Sequence, residues 1–160
     1  MSRSGYVDDM DDQWALIRWR GAVKSAIRGR RGQAFLREML AAMDALPEKK
    51  LVAWELEADG QVCAIGAVGR ERGVDMKALD PEDYDTVAGV FGIATPLAQE
   101  IVYMNDEYWH WSTDDNGQLL KDENGGWRKI TPEERFQKMR RWVEKQIVAP
   151  KEPGPAGGGE

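Results

Sequence analysis

The most constraining feature of this chain is a stretch of helical apolar spacing that carries only positive charge. Residues 13–37 hold seven lysines and arginines and no acid, although the 160-residue chain has a formal net charge of -6. Four apolar side chains recur there at spacings of three and four: Leu16, Trp19, Val23 and Ile27. Such spacing buries one helix face and leaves the charges in water. The segment therefore predicts a helix that begins near Gln13, with Asp11 or Asp12 as its N-cap.

A second predicted helix follows a glycine-bracketed turn, Gly29 to Gly32, and pairs with the first as an αα-hairpin. This helix runs to about Leu46, and Pro47 ends it because proline cannot donate the next backbone hydrogen bond. Its expected buried face consists of five residues: Phe35, Leu36, Met39, Leu40 and Met43. We call residues 13–46 the basic hairpin.

The basic hairpin is the first candidate binding surface, for nucleic acid or for a protein partner. Its candidate contact residues are six cations: Arg18, Arg20, Lys24, Arg28, Arg30 and Arg31. Arginine suits bidentate contact with phosphate oxygens. A sequence-reading helix-turn-helix is disfavoured, because that motif places its base contacts on the second helix, which here carries Glu38 and Asp44. Two other interpretations stay open: the cations can pair with the chain's own acidic surface, or they can simply be solvated.

Length and composition predict one globular domain over residues 1–148. Hydrophobic residues make up 42% and charged residues 31% of the chain, and no apolar run approaches the roughly 20 residues of a membrane-spanning helix. The start lacks the apolar core of a secretory signal. A single cysteine, Cys63, excludes an internal disulfide and a multi-cysteine zinc site, so we expect a cytoplasmic protein without metal or cofactor. Residues 149–160, rich in proline and glycine, are expected to form a disordered tail.

A β-hairpin is predicted from Leu51 to Val68, because Asp59-Gly60 is a favoured type I′ turn. In that register the numbers of paired residues sum to 119. One apolar side of the hairpin then carries six residues: Val52, Trp54, Leu56, Cys63, Ile65 and Ala67. As an alternative, the glycines and alanines of residues 63–69 can pack as a short helix.

Three more helices are predicted from their start signals. Asp80 caps the first of them, with Pro81 at its first position. Thr95-Pro96 opens the next, which ends near residues 105–106. Thr131-Pro132 begins a capping box that opens the last. The expected fold class is therefore α+β and mainly α, with about five helices, the αα-hairpin, a small β-hairpin and a short aromatic meander.

That meander is predicted over residues 105–130, where aromatic side chains alternate with Asn-Gly pairs. We expect two or three strands and find no internal repeat. The segment is a second candidate contact surface, formed by Trp109, Trp111 and Trp127. Most of the chain's seven tryptophans are nevertheless expected in the core, because large aromatic rings are usually well buried.

Metal binding and catalysis each have one weak candidate. Residues 112–123 echo the spacing of an EF-hand calcium loop, but Ser112 stands where that loop needs aspartate, and flanking helices are missing. Cys63, His110 and Asp106 can be written as a nucleophilic triad. Cys63, however, falls on the apolar side of its predicted strand, where a lone cysteine usually acts as a small hydrophobe. We therefore expect no metal site, no catalytic residue and no enzymatic activity.

Five segments carry a resemblance to a protein family: RSGYVDD, LIRWRGAVKSAIRGRRGQAFLREML, VCAIGAVGRERGVDM, FGIATPLAQEIVYMND and TPEERFQKMRRWVEKQI. They resemble a family of small, uncharacterised bacteriophage and prophage proteins. The resemblance covers most of residues 2–148 and lapses from Tyr108 to Trp127 and in the tail. It implies no catalytic or binding residue. What it implies is context: a phage protein in a host cytoplasm that binds and redirects a host machine, such as a defence complex.

Two expectations for function follow. The first is a non-enzymatic, phage-derived accessory protein that binds and modulates a host protein or nucleoprotein complex, with inhibition of a host defence system as one form. The alternative is a sequence-nonspecific nucleic-acid-binding protein that contacts DNA or RNA through the basic hairpin. Neither expectation involves a membrane, and neither specifies an oligomeric state.

Overall fold

A computed structural model describes residues 13–149, which form six α-helices, one short β-hairpin and two short helical turns. The helices are α1 (Gln13–Arg28), α2 (Arg30–Asp44), α3 (Ala64–Arg72), α4 (Tyr84–Phe91), α5 (Thr95–Tyr103) and α6 (Pro132–Gln146). The strands are β1 (Glu57–Ala58) and β2 (Gln61–Val62), and the turns are a 3-10 turn (Met76–Ala78) and a π-helical turn (Met104–Tyr108). The α+β, mainly helical prediction is confirmed. The predicted N-cap at Asp11 or Asp12 and the tail from residue 150 onward lie outside the described residues.

The core forms where α2 packs on α3 and α6, and where α5 packs on α1, α3 and α4. Its largest fully buried side chains include Leu36, Met39, Phe91, Leu97, Ile101 and Phe136. Helix α1 lies at the edge of this core, and Val23 is its one fully buried residue. Leu16 is 44% exposed, so the predicted apolar stripe of α1 is wrong at its first member. The helix packs on the body mainly through its second half.

The link between α1 and α2 is shorter than predicted. Gly29 alone separates the helices, with extended backbone angles, and α2 begins at Arg30. The expected four-residue turn is therefore wrong, and Gly32 lies inside the first turn of α2. A Cβ atom on Gly32 would lie 1.8 Å from the carbonyl oxygen of Ala26. Gly32 is needed because α1 and α2 are in direct contact at this position. The change of chain direction between the two helices requires only Gly29.

The β-hairpin has the predicted register but only two residues in each strand. Ala58 pairs with Gln61 and Glu57 with Val62, and positive φ angles at Asp59 and Gly60 fit the predicted turn. Beyond that ladder the chain coils into α3, which was the alternative for residues 63–69. A Cβ on Gly66 would lie 2.0 Å from the oxygen of Leu56. The small residues of α3 thus serve close packing of a helix, and the expected pairing of Val52 and Trp54 with Ala67 and Ile65 is wrong.

The start signals located the remaining helices with one error. Thr131 caps α6 as predicted, its hydroxyl accepting the N–H of Glu134 at 3.2 Å. Helix α4 is capped by Asp83, which accepts from the N–H of Thr86 at 3.0 Å, and not by Asp80. Asp80 instead accepts the N–H of Asp83 in a turn that contains Pro81. Proline suits the second position of a β-turn as well as the first position of a helix, and here the turn forms.

The tryptophans depart most clearly from expectation. Four of them are 40–72% exposed: Trp14, Trp54, Trp111 and Trp127. The other three are partly buried: Trp19, Trp109 and Trp142. The prediction that most tryptophans lie in the core is wrong. Trp54 does not extend a strand, because it stands at a bend with a φ angle of 72°. Large rings on the outside of a small domain are available for contact with a partner.

The contact between α2 and α3 includes an arginine clamped by two rings and a carboxylate. The guanidinium of Arg72 lies 5.8 Å from the ring centre of Phe35 and 5.9 Å from that of Phe91. Its Nε and Nη2 atoms donate to the two carboxylate oxygens of Glu38 at 2.7 and 2.6 Å. These hydrogen bonds hold the pKa of Glu38 below its ordinary value of 4.5. A bidentate pair of this kind favours the ionised carboxylate.

This pair predicts a pH-dependent contribution to stability. Because the pKa of Glu38 is lower in the folded protein, the contribution is complete above pH 4.5 and is lost as the pH falls through the folded pKa. Glu38→Gln should therefore lower the urea midpoint at neutral pH and match the parent protein in acid. Glu71→Gln is the matched control, because Glu71 forms no ion pair within residues 13–149. An equal effect of Glu38→Gln at every pH would contradict this assignment.

Within residues 13–149 no single helix is both long and apolar enough to cross a bilayer. Helix α4 and the helical stretch Thr95–Tyr108 meet the criterion only as a pair, and the pair is bent by 109°.

Candidate functional site

Five of the six cations predicted for the basic hairpin are exposed on α1 and at the start of α2. Arg18, Lys24 and Arg28 lie on the outer side of α1, and Arg30 and Arg31 form the first turn of α2. None of these five forms an ion pair within residues 13–149. Helix α2 also starts without a side-chain cap. Positive side chains at the positive end of a helix dipole are electrostatically unfavourable, so a bound anion would stabilise the start of α2.

The sixth cation, Arg20, belongs to the interface between α1 and α5. Its Nη1 atom donates to Oε2 of Glu100 at 2.9 Å, and the Glu100 side chain is only 6% exposed. Burial, with the nearby charges of Glu107 and Glu100, raises the pKa of the adjacent Tyr103. Arg20 therefore joins α1 to α5 through an ion pair, unlike the other five predicted cations, and its role in binding stays a prediction.

A buried glutamine joins the basic hairpin to the end of α6. The Nε2 atom of Gln33 donates to the carbonyl oxygens of Ile27 and Gln146 at 2.8 and 2.9 Å. Its Oε1 accepts the N–H of Val148 at 2.8 Å. These bonds place the last turn of α6, which carries Lys145, beside the junction of α1 and α2. The cationic end of α6 therefore adjoins the basic hairpin.

The aromatic segment consists of three short extended stretches that are joined by single β-bridges and follow a repeat of eight residues. We refer to these stretches as the strands of the meander. Asp114 and Asp122 each accept two backbone N–H groups in the same way, at 2.8 and 2.9 Å. Gly117 and Gly125 follow with φ angles of 80° and 81°. The sequences Asp-Asp-Asn-Gly and Asp-Glu-Asn-Gly mark the two turns. The statement that the chain has no internal repeat is therefore wrong, and the eight-residue spacing of Asn-Gly was the available signal.

The three strands of the meander form a closed ring of backbone hydrogen bonds. Leu120 N–H donates to Ser112 O at 3.0 Å, Arg128 N–H to Leu120 O at 2.9 Å, and Ser112 N–H to Arg128 O at 2.7 Å. Each strand thus contacts both of the others. The bridges Trp111–Lys129, Thr113–Leu119 and Lys121–Trp127 flank this ring. Short strands that would be marginal alone support one another when all their edges are paired.

One face of the meander is an exposed aromatic platform. Side chains alternate along a strand and paired residues share a face, so the bridged residues point to the same side. Three apolar side chains occupy equivalent places in the three strands: Trp111, Leu119 and Trp127. They are 40%, 45% and 47% exposed, respectively. Lys121 lies 5.8 Å from the ring centre of Trp127. Two of the three predicted aromatic site residues, Trp111 and Trp127, are therefore together on this surface.

The opposite face of the meander is fastened to α6 by Glu134. Its Oε1 accepts from the hydroxyl of Ser112 at 2.9 Å and from Nη2 of Arg128 at 3.0 Å. Ser112 is fully buried. A further bond between the meander and α6, at the edge of the platform side, runs from Nζ of Lys138 to the hydroxyl of Thr113 at 2.7 Å. The platform is thus held on a rigid helix, although its aromatic side faces solvent.

The third predicted aromatic residue, Trp109, lies at a different site, which we call the aromatic cleft. This cleft of about 340 Å³ opens between the π-helical turn and α6. Its rings are Tyr108, Trp109 and Trp142, and its cations are Lys138, Arg141 and Lys145. Neither Tyr108 nor Trp142 was predicted as a site residue from the sequence. The spacing of residues 138, 141, 142 and 145, which places them on one helix face, was the available signal.

Neither the candidate calcium loop nor the candidate nucleophilic triad has the geometry that its chemistry requires. The calcium-loop prediction for residues 112–123 is wrong in geometry, because the segment spans parts of two hairpins and Ser112 is already bonded to Lys129 O and Glu134. Across residues 13–149, no group of three or more histidine, cysteine, aspartate or glutamate side chains is arranged to hold a metal ion. Cys63 is buried at the start of α3, where its Sγ accepts the N–H of Gly66 at 3.3 Å. His110 is exposed, and no hydrogen bond joins it to Cys63.

Comparison with protein-family models, with curated proteins and with solved structures finds no match for this chain.

Proposed function

We propose that this protein is a non-enzymatic accessory protein, encoded by a phage or prophage, that binds and modulates a nucleoprotein complex of the host cell. The observation that carries the proposal is the set of unpaired cations on the basic hairpin. Arg18, Lys24, Arg28, Arg30 and Arg31 have no acidic partner within residues 13–149, on a chain with a net charge of -6. A concentrated basic surface on an acidic protein favours one anionic partner at one place over general adhesion to polyanions.

The aromatic platform favours a partner that is partly protein. Trp111 and Trp127 are exposed there, and tryptophan is enriched at protein interfaces and among the residues that contribute most to binding. A complex that offers both nucleic acid and protein can engage the basic hairpin and the platform together. Inhibition of a defence complex in the host cytoplasm is one form that such binding can take.

A pull-down from host lysate, with and without nuclease, tests this proposal. The parent protein should capture a distinct host complex, and a variant with Arg28→Ala, Arg30→Ala and Arg31→Ala should lose most of it. The matched control is Lys77→Ala, which removes an exposed cation on the 3-10 turn, outside both surfaces. Equal capture by the parent protein and the triple variant would overturn the proposal.

The second candidate function is direct, sequence-nonspecific binding of DNA or RNA, and the absence of acidic partners for the same five cations within residues 13–149 favours it. Neutralisation of about four phosphates gives a slope of log affinity against log salt of about -3 to -4 for duplex DNA. Removal of Arg28, Arg30 and Arg31 should reduce the slope to about -1, because each phosphate contact contributes about -0.9. Fluorescence anisotropy of a labelled duplex over a salt series measures both. A salt-independent affinity, or an unchanged slope in the triple variant, would exclude this function.

A further inference from the structure

The aromatic cleft combines flat apolar surface with positive charge. Trp109 and Trp142 are partly buried and take part in no parallel ring stack among residues 13–149. Tyr108 stands at 90° to Trp109, with 5.2 Å between ring centres, so the two rings form a corner. A planar group can stack against such a corner, and stacking on an aromatic side chain does not depend on the identity of a base.

The charged side chains that line the cleft are Lys138, Arg141 and Lys145, and no carboxylate lines it. Lys138 and Arg141 also line a neighbouring hollow on α6 that contains four carboxylates: Asp114, Asp115, Glu133 and Glu134. None of these carboxylates forms an ion pair with Lys138 or Arg141. The positive potential of the cleft is therefore not cancelled by ion pairs within the described residues. By contrast, Arg140 on the other side of α6 is paired with Asp44 and Glu144.

We propose that the aromatic cleft binds one unpaired nucleotide, with its base against Trp109 and Trp142 and its phosphate at Arg141 and Lys145. The cleft volume of about 340 Å³ falls within the range of about 300 to 1,000 Å³ that is usual for small-ligand sites. An apolar ligand would not neutralise the three cations of the cleft, and a simple anion would make no stacking contact with its aromatic rings. A ligand with a planar group and a phosphate uses both.

The unpaired nucleotide can come from a free nucleotide or from a single strand, and the experiment separates the two. The probes are adenosine monophosphate, adenosine, inorganic phosphate and a short oligodeoxyadenylate, and the readout is the NMR shift of the indole N–H signals. Adenosine monophosphate should shift the signals of Trp109 and Trp142 and leave that of Trp54 in place. Adenosine and phosphate should each bind at least about tenfold more weakly, because each lacks half of the contacts. A much higher affinity for the oligomer would identify a strand as the natural source.

Charge reversal at exposed positions supplies the matched variants. Arg141→Glu with Lys145→Glu should weaken adenosine monophosphate by about tenfold or more, while Arg30→Glu with Arg31→Glu should leave it unchanged. The second variant should instead abolish duplex binding, so a failure of the cleft and a failure of the basic hairpin are distinguishable. The inference is overturned if no probe shifts Trp109 or Trp142. It is also overturned if an oligoglutamate peptide binds more tightly than adenosine monophosphate, which would assign the cleft to acidic protein segments.

Discussion

Gly32→Ala is expected to destabilise the protein by at least about 3 kcal/mol and to weaken binding through the basic hairpin. The added Cβ would lie 1.8 Å from the carbonyl oxygen of Ala26, which is backbone and cannot rotate away. Forced overpacking of a tight contact moves the helices that make it. Arg30 and Arg31 would move with α2. Urea unfolding gives the stability, and anisotropy with a labelled duplex gives the binding.

The matched control for this substitution lies on the same hairpin. Gly21 is an exposed glycine in α1, and nothing lies within 4 Å of a Cβ placed there. Gly21→Ala should therefore be neutral or stabilising by up to about 1 kcal/mol, because alanine favours the helix over glycine. If both variants behaved alike, the close contact between α1 and α2 would not be a feature of the protein in solution.

Asn105→Ala is expected to cost about 3 kcal/mol, because a single buried side chain ties three parts of the fold together. Its Oδ1 accepts the N–H of Ala64 at 3.2 Å, at the start of α3. Its Nδ2 donates to Val52 O at 2.9 Å and to the Asp106 carboxylate at 2.6 Å. Asn105 is only 1% exposed. Truncation leaves buried polar groups without partners, each at about 1 to 3 kcal/mol.

Asn124→Ala provides the control for the loss of an asparagine side chain. Asn124 is exposed at the second turn of the meander, and its side-chain amide forms no hydrogen bond within residues 13–149, although its backbone N–H donates to Asp122. We expect a change within about 0.5 kcal/mol. A similar small change in Asn105→Ala, measured by the same urea titration, would show that the π-helical turn does not organise the start of α3.

Helix existence was predictable here because apolar spacing and start signals act locally. The capping residue Thr131 and the type I′ turn at Asp59-Gly60 were both recognised for that reason. Helix α3 was not, since its glycines and alanines carry little periodic signal and its packing depends on Leu56. The role of Gly32 could not be predicted either. The sequence does not distinguish a glycine in a turn from a glycine at a helix–helix contact, because that contact depends on the position of the other helix.

A candidate surface could be predicted where its charged residues lie close together along the chain. The cations of the basic hairpin are neighbours along the chain, so their shared surface could be predicted, whereas the ion pair of Arg20 with the distant Glu100 could not. The aromatic cleft brings together residues about 30 positions apart, from the π-helical turn and from α6. Only the fold shows that Trp109 lies beside Trp142 in the cleft and not on the platform with Trp111 and Trp127.

The closed ring of the meander has a consequence for how this chain can be altered. Ile130 N–H donates to His110 O at 3.1 Å, so the polypeptide leaves the helical body and re-enters it at almost the same point. A segment with adjoining ends is modular: it can be excised and bridged by a short linker, or transplanted to another scaffold, with little change in the path of the flanking helices. The tryptophan-bearing unit can thus be exchanged between proteins independently of the body that carries it.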